Sequence, residues 1–297
     1  MKIIEQIMVT DLKEKTRLSD IGYQRFKYIH SRKALLKSIK RGDILINKDR
    51  GFTADYVKNS DTITVIEQGN SDYKPYHKKL EVIYEDDYLA IINKPAGIDV
   101  SGNKFRTVEN MALSNISLNL GIDGLKKLRP VHRLDNPTSG LLLLAKTSQA
   151  LIELSRQFQA RKISKKYLAI VVGHLPQKGK ITSPINNQEA ITLYKVIKYC
   201  PSLKVNEISL VELKLLTGRT HQLRIHLSQL GFPILGDKLY GNQELILTGK
   251  GLFLSASELS FWHPKTNELM KFKLPLPHKF KAHLEREERR YKKYYPV

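Results

Sequence analysis

The sequence predicts a mixed α+β protein of two domains, and three observations support this fold class. The chain has 297 residues, 41% of them hydrophobic, which is enough to form a sizeable core. Short segments with strand-like alternation are interspersed with a few amphipathic helical segments. A polar stretch at residues 69–78, which contains Gly69 and Pro75, has the composition of a linker.

A basic helix is the clearest element of the first predicted domain, residues 1–68. Ser31 is suited to cap its N-terminus and Gly42 its C-terminus. Short strands follow at 43–47 and 61–66. Three basic residues spaced four apart form a ridge along the helix: Lys33, Lys37 and Arg41. This arrangement resembles the S4 RNA-binding domain and implies that the ridge contacts RNA, while a merely solvated helix face is the alternative.

The second predicted domain covers residues 79–280. It opens with strands at 80–84 and 88–93 around a turn. A brief apolar run at 141–145, directly after Gly140, predicts a buried strand. Beyond this domain, alternating charges at 281–293 predict an exposed helix within a basic C-terminal helix or tail, residues 281–297.

The chain carries a large positive charge that is unevenly distributed. Its 50 Lys and Arg residues against 29 Asp and Glu residues give a formal net charge of +21. Such a charge favours a polyanionic partner, usually nucleic acid, over a merely soluble basic protein. Segments 155–180 and 213–236 contain no acid, and 126–135 contains only Asp135. This distribution predicts a groove that attracts phosphates but retains one carboxylate for chemistry.

Composition also excludes several classes of protein. One cysteine, Cys200, allows neither an intramolecular disulfide nor a cysteine-based zinc finger. No apolar run approaches the roughly 20 residues of a transmembrane helix, and the first residues lack the apolar core of a signal peptide. We therefore expect a cytoplasmic protein that does not associate with membranes.

The strongest local motif surrounds Asp135. The loop 135–140 is rich in turn residues and leads into the buried strand at 141–145, a common location for a catalytic group. Taken alone, the same loop could hold Asp135 as an ordinary Asx-turn residue. A kinase catalytic loop is disfavoured because Asp does not directly follow His-Arg and no Asp-Phe-Gly occurs. A metal site is disfavoured because His221 and His226 lie about 140° apart on a helix.

The segment 132–146 resembles the central motif of the RluA-type pseudouridine synthase family. It reads His-Arg-Leu-Asp, then Thr-Ser-Gly, an apolar run and Ala-Lys. The resemblance implies a mixed, mainly antiparallel central sheet with flanking helices. Further segments resemble motifs of this family in the same order: 93–97, 165–169, 190–196, 217–226, 231–237, 240–241 and 261–264.

The resemblance implies roles for particular residues. Asp135 is expected to be the essential acid, which acts first as a base or nucleophile on the target uridine. Arg224, on a helix predicted at 220–230, is expected to pair with Asp135 and offset its desolvation. Tyr167 is expected to stack on the base and take the proton from C5. Further expected substrate contacts are His132, Arg133, Arg219 and Leu254.

Two departures from the family pattern bear on the substrate rather than on the chemistry. Ser255 stands where the family often has histidine, and the stretch 184–190 is short and lacks basic residues. The predicted function is the isomerisation of specific uridines in structured RNA, with ribosomal RNA as first choice and transfer RNA as second. No cofactor, metal or obligatory protein partner is expected, and the chain is expected to be a monomer. A non-catalytic RNA-binding or ribosome-assembly factor is the alternative.

Overall fold

The computed structural model describes residues 2–67, 74–241 and 249–295 and divides the chain into two compact units. The first unit is 1–73 together with 120–123, and the second is 74–119 together with 124–297. The main division falls inside the predicted linker. The assignment of 120–123 to the first unit has no counterpart in the sequence analysis.

The first unit consists of one α-helix and short strands. The strand order of its main sheet is β1-β6-β3-β4, and β2 pairs with β5. Ser31 Oγ accepts a hydrogen bond from the amide of Ala34 at 3.1 Å, and Gly42 ends the helix at φ 82°. The predicted helix and both its caps are therefore confirmed. The elements are β1 (Lys2–Met8), β2 (Thr16–Arg17), α1 (Arg32–Arg41), β3 (Ile44–Ile46), β4 (Asp49–Arg50), β5 (Tyr56–Val57) and β6 (Thr62–Glu67).

The second unit is built on a ten-stranded sheet with few helices. Its main path runs β12-β13-β14-β11-β15-β10-β8-β7, with β9 on β10 and β16 on β15. Among the strand pairs of the described residues, only β10–β15 is parallel, which confirms the predicted α+β class. The elements are β7 (Glu81–Glu85), β8 (Leu89–Lys94), α2 (Val108–Ala112), β9 (Gly124–Pro130), β10 (Ser139–Thr147), α3 (Ser148–Gln159), β11 (Ser164–Val172), β12 (Lys178–Ile181), β13 (Thr192–Ser202), β14 (Asn206–Leu215), α4 (Gln222–Gln229), β15 (Leu254–Trp262), β16 (Leu269–Lys273) and α5 (His278–Tyr294).

The apolar run of β10 is buried on both faces of this sheet. Leu142 and Leu144 belong to one core cluster, whereas Leu141 and Leu143 belong to another. Successive side chains of a strand point to opposite faces, so a strand covered on both sides has no polar alternation. The continuous run is thus explained by its central position in the sheet.

Gly140 fixes the start of β10 against β15. Its φ is +111°, and a Cβ atom there would lie 2.2 Å from the carbonyl oxygen of Ala256. A side chain is therefore excluded by both the backbone conformation and the close approach of the parallel strand. This contact sets the position of the loop that precedes β10 and carries Asp135.

The C-terminal helix differs from its prediction as an exposed helix. It begins at His278 and buries Phe280, His283 and Leu284 in the second unit. The Oγ of Ser202 donates a hydrogen bond to Glu287 at 2.6 Å. The alternating charges thus occupy only part of its surface, because apolar residues spaced three to four apart also form a stripe. Within the described residues, no helix combines the length and the hydropathy needed to span a membrane.

Candidate active site

A cleft of about 1210 Å³ in the second unit brings the predicted site residues of that unit together. Its floor and walls come from the loop before β10, from β11, from the segment between β14 and α4, and from the start of β15. Seven predicted residues line it: His132, Arg133, Asp135, Tyr167, Arg219, Arg224 and Leu254. Sequence positions about 120 residues apart thus converge on one concave surface.

The loop that carries Asp135 is held by a buried lysine. The Nζ of Lys94 donates hydrogen bonds to the carbonyls of Pro95, Asn136 and Thr138 at 2.9, 3.1 and 2.8 Å. Burial lowers the pKa of Lys94 to about 8. Three carbonyl acceptors compensate a buried ammonium, so this side chain fixes the loop from beneath. The sequence analysis included Lys94 in a family motif but gave it no role.

Arg224 is clamped mainly by Asp237, not by Asp135 as the sequence analysis expected. Its Nε and Nη2 donate to the two carboxylate oxygens of Asp237, both at 2.7 Å. The Nη1 of Arg224 lies 3.6 Å from Asp135 Oδ2, which is an electrostatic contact rather than a hydrogen bond. The bidentate clamp leaves one edge of the guanidinium directed at Asp135. The predicted Asp135–Arg224 pair is therefore part of a triad of Asp135, Arg224 and Asp237, in which it is the longer of the two contacts.

Asp237 is the anchor of this triad. The amides of Leu239 and Tyr240 donate to its Oδ1 at 3.0 and 3.1 Å. Burial alone would raise the pKa of Asp237, but Arg224 and these amides hold it below the ordinary value. The carboxylate is thus ionised and fully committed, whereas Asp135 has a side chain that is 26% exposed and faces the cleft.

His221 is a second cleft residue that the sequence analysis did not assign. It precedes α4 in the left-handed conformation, with φ 56°. Its Nδ1 lies 2.9 Å from the hydroxyl of Tyr240, and its Nε2 lies 3.8 Å from Asp135 Oδ1. His226 instead lies in the interior, 3.0 Å from Thr192 Oγ1. The two histidines therefore do not share a site, and the described residues contain no metal-like cluster of three or more His, Cys, Asp or Glu.

Tyr167 lies on the wall beside Asp135. It is only 5% exposed, and both burial and the nearby charge of Asp135 raise the pKa of its hydroxyl. The phenol consequently stays protonated at neutral pH. Any proton that it accepts must be matched by its own proton leaving at the same time.

The remaining cleft residues differ in whether their side chains already form hydrogen bonds within the chain. Arg133 is exposed, and its side chain forms no hydrogen bond or ion pair with a described residue. Arg219 donates from Nε to the carbonyl of Glu189 at 3.0 Å. His132 accepts from the amide of Leu143 at 3.2 Å, so it supports the loop as well as lining the cleft. Leu254 is buried and forms apolar wall.

The three basic residues of the first unit also differ from one another. Lys33 and Lys37 are exposed and have no ion-pair or hydrogen-bond partner among the described residues. Arg41 instead donates from Nε to Asp43 at 2.7 Å and from Nη2 to Ser38 at 3.2 Å. The expected three-residue ridge is therefore reduced to two free cations.

Comparison with known proteins identifies the family of the chain. The sequence model of a family described as RNA pseudouridylate synthase matches residues 88–229. An RNA pseudouridine synthase of Aquifex aeolicus is 36% identical over an alignment of 236 positions, which covers 71% of this chain and 74% of that protein. The chain therefore belongs to the RNA pseudouridine synthases, the isomerases that convert uridine into pseudouridine within RNA.

Individual relatives indicate which type of pseudouridine synthase the chain resembles. The ribosomal large subunit pseudouridine synthase C of Buchnera aphidicola is 35% identical over 85% of this chain and 88% of its own length. The dual-specificity synthase RluA of Pasteurella multocida is 36% identical over 68% of this chain and 95% of its own. A solved structure, human RNA pseudouridylate synthase domain containing 4, superposes with a TM-score of 0.56 at 26% identity and covers 70% of this chain and 93% of that chain. The resemblance to RluA-type enzymes is thus confirmed.

Proposed function

We propose that this enzyme isomerises particular uridines of structured ribosomal RNA and that Asp135 is its essential group. The observation that carries the role of Asp135 is its position as a partly exposed carboxylate beside the clamped Arg224, at 3.6 Å. The choice of ribosomal RNA is supported by the large-subunit synthase of Buchnera aphidicola, which aligns with 85% of the chain. Transfer RNA is the second choice.

The proposed reaction begins at the bound uridine. Asp135 acts first, as a base or nucleophile on the bound uridine. The C1′–N1 bond then breaks, the base turns within the cleft, and a C1′–C5 bond forms. The C5 proton then leaves and N1 gains a proton, so the product is an isomer of the substrate. The fixed charge of Arg224 stabilises the carboxylate and the anionic groups that develop beside it.

Tyr167 completes the proton path in this proposal. Its ring stacks on the base, which is worth about 1–3 kcal/mol per base. Because its hydroxyl stays protonated, it takes the C5 proton only as it passes its own proton on.

The RNA must deliver an unpaired base into this cleft. Flipping a base out of a helix costs a few kcal/mol. The exposed Arg133, which has no partner within the described chain, is suited to fill the space that the base leaves. Lys33 and Lys37 of the first unit, in an S4-like role, are suited to contact phosphates elsewhere on the RNA. We propose that the enzyme acts as a cytoplasmic monomer with no cofactor, metal or obligatory protein partner.

Mapping of pseudouridines in total RNA from cells with and without this gene tests the proposal. We expect one or a few uridines of ribosomal RNA to lose their modification when the gene is absent. Loss only in transfer RNA would overturn the choice of ribosomal RNA. An unchanged map would contradict the enzymatic role and favour a non-catalytic RNA-binding factor.

A further inference from the structure

A second charged group in the cleft, Lys165, lacks a partner. It lies on β11 two residues before Tyr167, so both side chains point to the same face of the strand. Its Nζ lies 5.1 Å from the centre of the Phe158 ring and forms no hydrogen bond or ion pair with a described residue. Burial lowers the pKa of Lys165, and no carboxylate offsets that effect.

The adjacent Lys166, unlike Lys165, is paired with two carboxylates of the chain. Its Nζ lies 3.2 Å from Glu212 and 3.2 Å from Glu258, on the opposite face. These carboxylates raise the pKa of Lys166, although burial acts against them. Two consecutive lysines therefore differ completely. One is neutralised by the chain, and the other is left charged in a partly enclosed cleft, which costs free energy unless a ligand compensates it.

His132 is a neutral neighbour of Lys165 and does not compensate its charge. The amide of Leu143 donates to its Nε2, and burial together with the charge of Lys165 lowers its pKa to about 3. The ring is therefore neutral and carries its proton on Nδ1. That Nδ1 is buried beside the backbone of Arg133, so it does not face the open cleft. The His132 ring packs against the same Phe158, with centroids 5.0 Å apart.

The space in front of Lys165 is open. A Cβ atom on Gly218 would have only one neighbour outside its own chain segment within 4 Å, the Nζ of Lys165 at 3.8 Å. The ammonium thus faces the backbone between β14 and α4 across free volume of the cleft. A phosphate is the kind of anion that a lysine ammonium binds as a point charge.

We propose that Lys165 forms a phosphate subsite, which holds a backbone phosphodiester of the RNA next to the target uridine. This inference rests on the proposed function for the identity of the ligand, but not for the existence of an anion site. The subsite lies on β11, the strand that also carries Tyr167. Binding there sets the position of the nucleotide relative to the base-stacking ring.

Thermal unfolding tests the anion site without RNA. We expect Lys165→Met to raise Tm in sodium chloride, because the variant removes an uncompensated charge and keeps an aliphatic stem on Phe158. Inorganic phosphate at equal ionic strength should raise Tm of the wild type and of Lys166→Met, but not of Lys165→Met. A lower Tm of Lys165→Met in chloride, or a retained phosphate effect, would overturn the proposal.

Gly218→Asp provides an independent variant that does not alter Lys165. Gly218 does not need the left-handed conformation, so an aspartate fits there and places a carboxylate near the Lys165 ammonium. We expect this variant to raise Tm and to abolish the effect of phosphate. The gain in Tm should disappear in the double variant with Lys165→Met. An equal gain in both backgrounds would show that no uncompensated charge of Lys165 faces this position and would overturn the proposal.

Turnover of RNA tests the nature of the ligand. With total RNA from cells that lack the gene, Lys165→Met should raise KM about tenfold, the value of one charge-assisted contact, and change kcat less. Lys166→Met should leave KM unchanged. An unchanged KM in Lys165→Met would refute the RNA phosphate. Absence of pseudouridine with the wild type would refute the proposed function, while the phosphate-dependent Tm would still decide the inference.

Discussion

Two cations on the two sides of the cleft, Arg224 and Lys165, differ in whether a carboxylate of the chain itself pairs with them. On one side Arg224 is held by both oxygens of Asp237 at 2.7 Å, and on the other the ammonium of Lys165 has no partner in the described chain. A cation that the chain neutralises itself can only orient a neighbour. A cation that the chain leaves unpaired is available to a ligand. The comparison separates groups that shape the site from groups that receive the RNA.

Replacement of Asp135, the carboxylate beside the paired Arg224, should reduce the reaction rate more than any other change. Asp135→Asn keeps the shape of the side chain but removes its charge and basicity, so we expect the rate to fall by at least about a thousand-fold. RNA affinity should change little, since a carboxylate does not attract phosphates. Single-turnover kinetics and filter binding measure both. Substantial residual turnover would show that the chemistry uses another group.

Tyr167 joins the two sides, and the loss of its hydroxyl should affect only the chemical step. In Tyr167→Phe the ring can still stack on the base, but no proton can pass, so kcat should fall by about a hundred-fold while KM stays near that of the wild type. Steady-state kinetics separates the two parameters. If KM rose and kcat did not fall, Tyr167 would be a binding residue only.

Loss of the clamp should destabilise the protein as well as slow it. Asp237→Asn leaves Arg224 buried without its main partner, and breaking such a buried pair costs about 3–5 kcal/mol in the free energy of unfolding. The rate should also fall, by about tenfold, because the guanidinium no longer has one orientation. Denaturant unfolding and kinetics measure these effects.

The exposed pair of Arg32 and Asp20 in the first unit is the matched control for the clamp. Their side chains are 70% and 45% exposed, so Asp20→Asn should change stability by less than about 1 kcal/mol. Equal effects of Asp237→Asn and Asp20→Asn would remove the distinction between a clamp and an ordinary surface pair.

Free cations outside the cleft should contribute to affinity but not to chemistry. Lys33→Gln with Lys37→Gln removes two unpaired charges, so the plot of log affinity against log salt should become less steep by about one to two units. The control is Lys265→Gln with Lys271→Gln, two exposed lysines near the β15–β16 hairpin. An equal change in both double variants would mean that α1 has no special role in binding RNA.

A pH dependence of stability should arise from the buried cation Lys94. Burial lowers its pKa to about 8 from the ordinary 10.5, so between these values the unfolded chain binds more protons than the folded one. Its contribution to stability is therefore complete above 10.5 and is lost as pH falls through about 8. Lys94→Met should flatten the rise of unfolding free energy over this interval. An unchanged slope would show that Lys94 does not titrate there.

Local features of the fold could be predicted from the sequence because their causes are local. The cap residues Ser31 and Gly42 define α1, and the apolar run around Leu143 defines β10. The buried side of α5 was missed because the charge pattern at 286–290 hides a stripe that includes Leu284. A stripe gains meaning only from the surface that covers it.

The site was predictable as a set of residues but not as a network. Motif resemblance named Asp135, Tyr167 and Arg224, and all three line one cleft. It did not name Asp237 as the partner of Arg224, because a hydrogen-bond partner thirteen residues away depends on how the following loop returns. Nor could it show which of Lys165 and Lys166 is neutralised. Both questions are decided by tertiary contacts.

The most direct test of the account is the reaction of the purified chain alone. Total RNA from cells that lack the gene is incubated with the wild type or with Asp135→Asn, and pseudouridine is mapped in both. We predict that the wild type restores modification at the uridines that depend on the gene, and that Asp135→Asn binds the RNA but restores none. No restoration by the wild type, or equal restoration by Asp135→Asn, would contradict the central claim.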